Sequence, residues 1–197
     1  MSYDNFPIAV VDNGGQWTHR EYRVLNYLGC RAEIVSNVTP IEELERFEAL
    51  VLSGGAPRIE TESEALGLTS EYIDSGKWPI LGICVGHQYM ANHFGGKAGP
   101  AEIPEFGSSL LTLIDEGWIL AGFPKEFNVW ESHNDEVHEM PKGFRLLASS
   151  DACQVQVIEH ETLPYAGVQY HPEVEHTEYG SELFQNFLNR ALEWNKE

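Results

Sequence analysis

A cysteine between two glycines is the residue of this chain whose surroundings most favour chemistry. Residues 82–86 read Gly-Ile-Cys-Val-Gly, after a short apolar run at 79–83 and before apolar residues at helical spacing over 85–94. A nucleophile on such a strand-to-helix turn is held strained and exposed, and the glycines remove side chains that would collide there. The N-terminus of the helix favours a thiolate at the sulfur. The pattern predicts that Cys84 is a nucleophile rather than a core cysteine.

A nucleophilic cysteine requires a base and a group that orients the base. Among the eight histidines, His171 is distinctive because it ends the run 167–171 and precedes Pro172 and Glu173. Proline fixes the backbone, and the Glu173 carboxylate can reach back to the imidazole. An isolated His-Pro-Glu is usually a surface loop. It therefore gains weight only together with the cysteine turn, and the fold must bring the two together.

Composition narrows the classes of protein to which the chain can belong. Its 197 residues, 42 % of them hydrophobic, suffice for one domain, which we place at 1–197. A formal net charge of −19 argues against binding to nucleic acid or to anionic membranes. The sequence has no apolar run of transmembrane length and no signal peptide, so we expect a cytoplasmic protein.

The three cysteines form neither a disulfide framework nor a metal-binding pattern. Cys30, Cys84 and Cys153 are widely spaced and odd in number, so we expect no metal site. Cys30 precedes a predicted strand and Cys153 lies within another. Since free cysteines are often simply buried, we interpret these two as structural.

Strands and helices alternate in the first half of the chain. Apolar runs at 8–11, 32–35, 49–52 and 79–83 are separated by helical patterns at 18–28, at 39–47 and around 66–72. This order predicts an α/β fold whose open, mostly parallel sheet carries helices on both faces. In such sheets, sites form at the carboxyl ends of strands. The turns at 12–15, 53–57 and 84–86 all lie at such ends.

The second half of the chain has a different pattern. Strand-like runs at 110–114, 127–130, 144–149, 155–159 and 166–170 are broken by turn residues, and an amphipathic helix at 182–194 closes the chain. We expect these runs to form a mixed or antiparallel extension of the sheet.

The motifs together resemble a known family. The cysteine turn followed by His87-Gln88, the segment 171–173 and the Ser-Gly-Gly turn at 53–55 are similar to class I, or triad, glutamine amidotransferases over nearly the whole chain. Two longer segments, at 129–137 and 171–180, resemble the amidotransferase of GMP synthetases, specifically the separate glutaminase subunit of the two-subunit form.

The resemblance implies a covalent mechanism. Cys84 would attack the side-chain amide of glutamine to form a glutamyl thioester, His171 would act as base and acid, and Glu173 would orient His171. Backbone N–H groups of Gly55 and Val85 would form the oxyanion hole.

The resemblance also implies contacts to the substrate and a partner. Gln88 and the backbone around Ser132 and His133 would contact glutamine. The chain ends without an ATP-pyrophosphatase domain, so the synthase would be a separate subunit that carries ATP and Mg²⁺ and aminates XMP. We expect no cofactor on this chain.

Two alternatives remain open on the sequence alone. The chain could be the glutaminase of anthranilate, aminodeoxychorismate or carbamoyl phosphate synthesis. It could also be a Cys-His hydrolase that acts alone on γ-glutamyl compounds.

Overall fold

Alternating strands and helices build the first half of the molecule. The computed structural model describes residues 3–196, and the elements up to residue 93 are β1 (Pro7–Asp12), α1 (Thr18–Tyr27), β2 (Arg31–Ser36), α2 (Ile41–Leu44), β3 (Ala49–Leu52), α3 (Thr69–Ser75), β4 (Ile80–Ile83) and α4 (Val85–His93). A 3₁₀ turn at Ser63–Leu66 precedes α3. The predicted order of strands and helices is confirmed.

Strands dominate the second half. They are β5 (Lys97–Leu113), β6 (Glu126–Glu139), β7 (Phe144–Ser149), β8 (Val157–His160) and β9 (Tyr165–Val168), and helix α5 (Gly180–Trp194) follows. Strands β5 and β6 form a long antiparallel hairpin. Its length exceeds the two short runs that the sequence predicts for this region.

All nine strands belong to one sheet, in the order β2-β1-β3-β4-β9-β8-β7-β5-β6. The five strands from β2 to β9 in that order pair in parallel, and the remaining pairings are antiparallel. The expectation of an α/β fold with a parallel part and an antiparallel extension is confirmed.

Helices cover both faces of the parallel part, because its strands are apolar on both sides. Ile8 and Val10 of β1 point to a core that contains Leu25 of α1 and the apolar side of α5. Ala9 and Val11 point to the opposite core, which α2, α3 and α4 cover. The sheet is therefore the middle layer of three.

Three local expectations are wrong. The helix predicted at 39–47 is a single turn, Ile41–Leu44, with Pro40 immediately before it. The helical pattern around 66–72 is interrupted at Gly67, which has a φ of +58° and lies against the backbone of Asn37. Cys153 lies in the irregular segment between β7 and β8 rather than in a strand.

The turn between β4 and α4 places Cys84 in a conformation that few residues adopt. Its φ is +50° and its ψ is −108°, outside the favourable regions for a residue with a side chain. A Cβ on Gly82 would lie 2.8 Å from backbone atoms of Gly86, and a Cβ on Gly86 would lie 2.4 Å from the carbonyl oxygen of Leu52. Both glycines are therefore required by contact with backbone.

No helix within residues 3–196 is both long and apolar enough to cross a bilayer.

The contact at Gly86 predicts the effect of one methyl group. We expect Gly86→Ala to lower the free energy of unfolding by roughly 2–3 kcal/mol, because β3 and α4 must separate to admit it. Urea unfolding followed by circular dichroism measures this. Gly99→Ala is the matched control, since a Cβ there would lie 3.9 Å from the His138 ring, an ordinary contact. Equal stability of the two variants would show that the backbone of β3 does not require glycine at position 86.

Candidate active site

Four strand ends meet around one cavity. The cavity has a volume of about 370 Å³ and lies beyond the carboxyl ends of β1, β3, β4 and β9, which is where open α/β sheets form their sites. Loop residues 14–17 and 54–58 line this cavity, and so do Cys84 and His171. The structure thus brings together the nucleophile and base that the sequence places far apart.

Cys84, His171 and Glu173 form a connected, buried set. The Glu173 Oε1 atom accepts a hydrogen bond from Nδ1 of His171 at 2.7 Å, and Cys84 and the His171 ring both lie beside Gly54. Since Nδ1 is engaged by Glu173, the other ring nitrogen, Nε2, is the one that can exchange a proton with the thiol. The arrangement is that of a nucleophile, a base and an orienting carboxylate.

The electrostatics of this set favour an imidazolium. Burial opposes the charge, but the Glu173 carboxylate and Cys84 outweigh it and raise the pKa of His171 well above its ordinary value. The positive charge that this shift favours on the His171 ring lies beside the Cys84 sulfur.

His171 is fixed by its neighbours as well as by Glu173. Its N–H donates to the Trp130 carbonyl of β6 at 3.0 Å, and its carbonyl accepts from the Thr177 hydroxyl at 2.7 Å. The Trp17 ring meets its imidazole edge to face, with 4.4 Å between ring centroids. These contacts hold the ring in one place against the end of β4.

The loops after β1 and β3 pack backbone against backbone. A Cβ on Gly55 would lie 2.3 Å from the carbonyl oxygen of Asn13, and the Asn13 side chain donates to the Ser53 carbonyl at 3.0 Å. Gly54 fits between base and nucleophile: a Cβ there would lie 3.0 Å from His171 Cε1 and 3.7 Å from Cys84 Cβ. Only glycine allows this loop to approach so closely.

The two N–H groups predicted for the oxyanion hole border the cavity. Gly55 and Val85 both line it. Val85 is the first residue of α4, where a backbone N–H has no partner within the helix. Both groups are therefore placed where they can serve an oxyanion, and their role stays a prediction.

The residues predicted to contact glutamine also line the cavity, namely Gln88, Ser132 and His133. The Gln88 side-chain amide donates to the Asp135 carbonyl at 2.6 Å and to Gln169 Oε1 at 3.1 Å. These bonds connect α4 with β6 and with the loop after β9. The structure thus places all three residues at the cavity, and contact with glutamine stays a prediction.

The His133 side chain belongs to a buried ionic cluster. Its Nε2 faces Glu105 Oε2 at 3.2 Å and Glu131 Oε2 at 3.4 Å, while Nδ1 faces the Asp135 carbonyl at 3.0 Å. A carbonyl can only accept, so Nδ1 is a donor. Burial disfavours the cation, but Glu105 and Glu131 raise the pKa of His133 to about 10. His133 is thus an imidazolium between two carboxyl groups.

The same three side chains could in principle ligate a metal ion. Within residues 3–196 they form the group of potential ligands whose atoms all lie within 4.8 Å of one another. The imidazolium already supplies a positive charge to both carboxyl groups. The Nε2 hydrogen bond goes to Glu105, whereas Glu131 is paired with the ring by charge and neither of its oxygens has a hydrogen-bond partner among residues 3–196. The His133 ring is therefore the cation that the two carboxyl groups face.

A salt bridge closes the edge of the cavity. Arg58 lies 2.5 Å from Asp135 Oδ1, and the N–H of Ile59 donates to Asp135 Oδ2 at 3.0 Å. The loop after β3 is thereby fixed to β6.

Two side chains beside the catalytic set are not predicted from the sequence. Gln169 of the loop after β9 donates toward the Cys84 sulfur at 3.7 Å. Glu21 of α1 is 1 % exposed and lines the cavity. A signal for Glu21 does exist, because the buried side of α1 comprises Thr18, Glu21 and Leu25. An acidic residue on the buried side of a helix indicates a buried carboxyl group that needs a polar partner.

The other two cysteines do not line this cavity. Both are buried and free, and burial raises the pKa of the Cys30 thiol to about 12 and that of Cys153 as well. Neutral buried thiols are poor nucleophiles, which agrees with the structural role predicted for them.

Comparison with known proteins identifies close relatives. The family described as glutamine amidotransferase class-I matches residues 9–191. The chain is 51 % identical over 181 residues to a subunit of the glutamine-hydrolyzing GMP synthase of Thermoplasma acidophilum, a match that covers 92 % of this chain and 90 % of the relative. It is 47 % identical to the corresponding subunit from Thermococcus kodakarensis, over 91 % of this chain and 96 % of the relative.

Solved structures agree with the sequence comparison. A crystal structure of a putative GMP synthase subunit from Thermoplasma acidophilum superposes with a TM-score of 0.93 at 48 % identity, covering 98 % of this chain and 96 % of that one. A glutamine amidotransferase from Thermotoga maritima superposes with a TM-score of 0.70 at 19 % identity, covering 98 % of this chain and 86 % of that one. The second likeness shows the shared fold.

The raised pKa of His133 predicts how stability changes with pH. The pKa of His133 is 6.5 in the unfolded chain and about 10 in the folded protein. At a pH between these two values, the folded state holds a proton that the unfolded state has lost. Stability therefore falls as pH rises, by up to about 2–3 kcal/mol between pH 7 and 9. His171 adds a change in the same direction.

Urea unfolding at the two pH values measures this change. We expect the fall to be smaller in His133→Asn, whatever the overall stability of that variant. His138 is exposed, so His138→Asn is the control. We expect its stability to fall between the two pH values as much as that of the wild-type protein. An unchanged fall in His133→Asn would show that His133 is not the group responsible.

Proposed function

The chain belongs to the class I glutamine amidotransferase family, and on that premise we propose that it is the glutaminase subunit of a two-subunit GMP synthase. The observation that carries the proposal is the buried Cys84–His171–Glu173 set at the base of a cavity. The relatives named as subunits of glutamine-hydrolyzing GMP synthase cover more than nine-tenths of the chain. No observation favours the anthranilate, aminodeoxychorismate or carbamoyl phosphate alternatives, or a hydrolase that acts alone.

The first half of the reaction releases ammonia. The Cys84 thiolate attacks the side-chain carbonyl carbon of glutamine, and the carbonyl oxygen takes up the negative charge. N–H groups of Gly55 and Val85 stabilise this oxyanion, each worth about 3 kcal/mol in such sites. The tetrahedral intermediate collapses as the C–N bond breaks. His171 gives its proton to the departing nitrogen, which leaves as ammonia, and a glutamyl thioester remains on Cys84.

The second half regenerates the enzyme. Neutral His171 takes a proton from a water molecule as the water oxygen attacks the thioester carbon. Collapse of the second tetrahedral intermediate breaks the C–S bond and releases glutamate. The thiolate of Cys84 and the imidazolium of His171 are thereby restored. Glu173 orients the ring and stabilises its charge throughout without changing its own protonation state.

Three residues would hold the substrate. Gln88 and the backbone of Ser132 and His133 line the cavity beside Cys84. The Gln88 amide is held by two hydrogen bonds, so its orientation is set before substrate enters. Such preorganisation lowers the entropy that binding must overcome.

We place the amination of XMP on a separate synthase subunit. The relatives are named as one subunit of GMP synthase rather than as the whole enzyme, which supports a second subunit. That partner would bind ATP and Mg²⁺, and this chain would bind neither. We further propose that residues 1–197 form one domain and that the complex works in the cytoplasm, where free buried cysteines such as these persist.

Replacement of the nucleophile tests the proposal most directly. We expect Cys84→Ala to reduce glutamine hydrolysis by at least about a thousandfold, because no other group can form the thioester. The complex of this variant with a synthase subunit should still make GMP from added ammonia. Glutamate release and GMP formation, measured separately, distinguish the two activities.

Cys153→Ala is the control, since that thiol is buried outside the cavity. It should alter stability and leave thioester formation intact. Glutaminase activity in Cys84→Ala would refute the nucleophile assignment. Failure of the wild-type chain to support GMP formation from glutamine, with a synthase subunit that makes GMP from ammonia, would refute the assignment to GMP synthesis.

Replacement of the other two members separates their roles. We expect Glu173→Gln to lose about 10- to 100-fold less kcat/KM than His171→Ala, because His171 transfers protons whereas Glu173 orients and stabilises the imidazolium. Steady-state kinetics at saturating and limiting glutamine measure both losses. Equal or reversed losses would indicate that Glu173 acts more directly or that another residue is the base.

A further inference from the structure

Glu21 is a buried acidic side chain beside the catalytic set that the proposed mechanism does not use. It lies on α1, is 1 % exposed and lines the same cavity as Cys84 and His171. Its Oε1 accepts a hydrogen bond from the N–H of Gly54 at 3.3 Å. Its Oε2 is buried and has no hydrogen-bond partner among residues 3–196. An unpaired buried carboxyl oxygen is costly and requires an explanation.

Glu173 also has one carboxyl oxygen without a hydrogen-bond partner. Its Oε1 is engaged by His171, while its Oε2 is buried and also lacks a partner among the described residues. The Glu173 side chain is fully buried. Gly54 ties the two regions together, because it donates to Glu21 and lies against the His171 ring. Each carboxyl group thus has one buried oxygen without a hydrogen-bond partner among the described residues.

A single proton on one of the two carboxyl groups would give both oxygens a partner. Two carboxylates close together in a dry site do not both ionise, and one of them keeps its proton. Burial, and next the charge of Glu173, raise the pKa of Glu21 well above its ordinary value. The titratable groups that face Glu21 are Glu173 and His171 beyond β9, and Asp12 at the end of β1. Glu173 faces the imidazolium directly, so Glu21 is the member that keeps the proton.

We propose that Glu21 is a positioning residue that donates a hydrogen bond from a protonated Oε2 to Oε2 of Glu173, which extends the catalytic set to four residues. The proposal rests on the function proposed above for Cys84 and His171. Glu173 would then have both oxygens engaged and a fixed orientation toward His171. The same Glu21 side chain holds Gly54, the neighbour of the predicted oxyanion donor Gly55. One residue of α1 would thus align both the base and the oxyanion loop.

Two substitutions of Glu21 test whether it donates a hydrogen bond to Glu173. Gln in place of Glu21 keeps an acceptor for Gly54 and an N–H donor for Glu173, and it cannot ionise. Leu keeps volume and removes both. We expect Glu21→Gln to retain kcat/KM within about threefold and Glu21→Leu to lose about 10- to 100-fold, the equivalent of one hydrogen bond to a charged group. The loss should fall mainly on kcat.

A double-mutant cycle with Glu173→Gln tests the direct partnership. If Glu21 acts through Glu173, the loss caused by Glu21→Leu should shrink to a few-fold in the Glu173→Gln background. If Glu21 only braces Gly54, the two losses multiply, and the proposal is overturned. Equal losses in Glu21→Gln and Glu21→Leu would overturn it as well.

Infrared spectroscopy provides a readout that requires neither activity nor a stable Leu variant. A protonated carboxyl group has a C=O stretch distinct from that of a carboxylate. We expect the wild-type spectrum at pH 7 to contain such a band that Glu21→Gln lacks. Glu159→Gln is the control, because Glu159 is buried in an ion pair with Arg145 on β7 and β8 and should contribute no such band. An unchanged band in Glu21→Gln would overturn the proposal.

Cys84→Ala serves as the blank in the kinetic assays. Residual glutaminase activity in the blank would refute the proposed function. An inactive blank with additive losses at Glu21 and Glu173 would refute only the role of Glu21.

Discussion

A backbone φ of +50° at Cys84 is a conformation that costs a residue with a side chain about 1–3 kcal/mol, and it persists because everything around it is fixed. Strand β4 lies between β3 and β9 in the parallel part of the sheet. The N–H of Cys84 donates to the Val168 carbonyl of β9, so the turn is tied to the strand that leads to His171. Gly82 and Gly86 let α4 begin directly against the sheet. The position of the sulfur therefore follows from the packing of four elements.

The sequence predicts the parallel half well because its strands obey the usual rule. Residues 49–52 and 80–83 are buried on both faces, so their continuous apolar runs are recognisable. Strand β6 breaks that rule. Its buried positions include Glu131, His133 and Asp135, where an apolar residue would be expected in an ordinary strand, and the predicted run ends at 130. The resemblance to the family therefore indicates the site residues of β6, whereas their hydrophobic pattern does not reveal a strand.

The buried carboxyl groups are stabilised by partners that lie far from them in the sequence. A carboxylate inside a protein is stable only when a cation, a proton or several donors meet it. Glu159 meets Arg145 and two backbone N–H groups, and Glu105 meets His133. These pairings come from residues distant in the sequence, so composition alone cannot predict them. An overall charge of −19 therefore coexists with a site whose central group, His171, is a cation.

The bond between the N–H of His171 and the Trp130 carbonyl has a mechanical consequence. Ser132 lies two residues further along the same strand, β6, which is the last strand of the sheet. His171 follows β9, whose Val168 carbonyl accepts the N–H of Cys84, so the same residue is also attached to the interior of the sheet. The imidazole is thus held from two sides, by the edge strand that lines the cavity and by the strand beside the nucleophile, and the separation of sulfur and imidazole is set by both attachments.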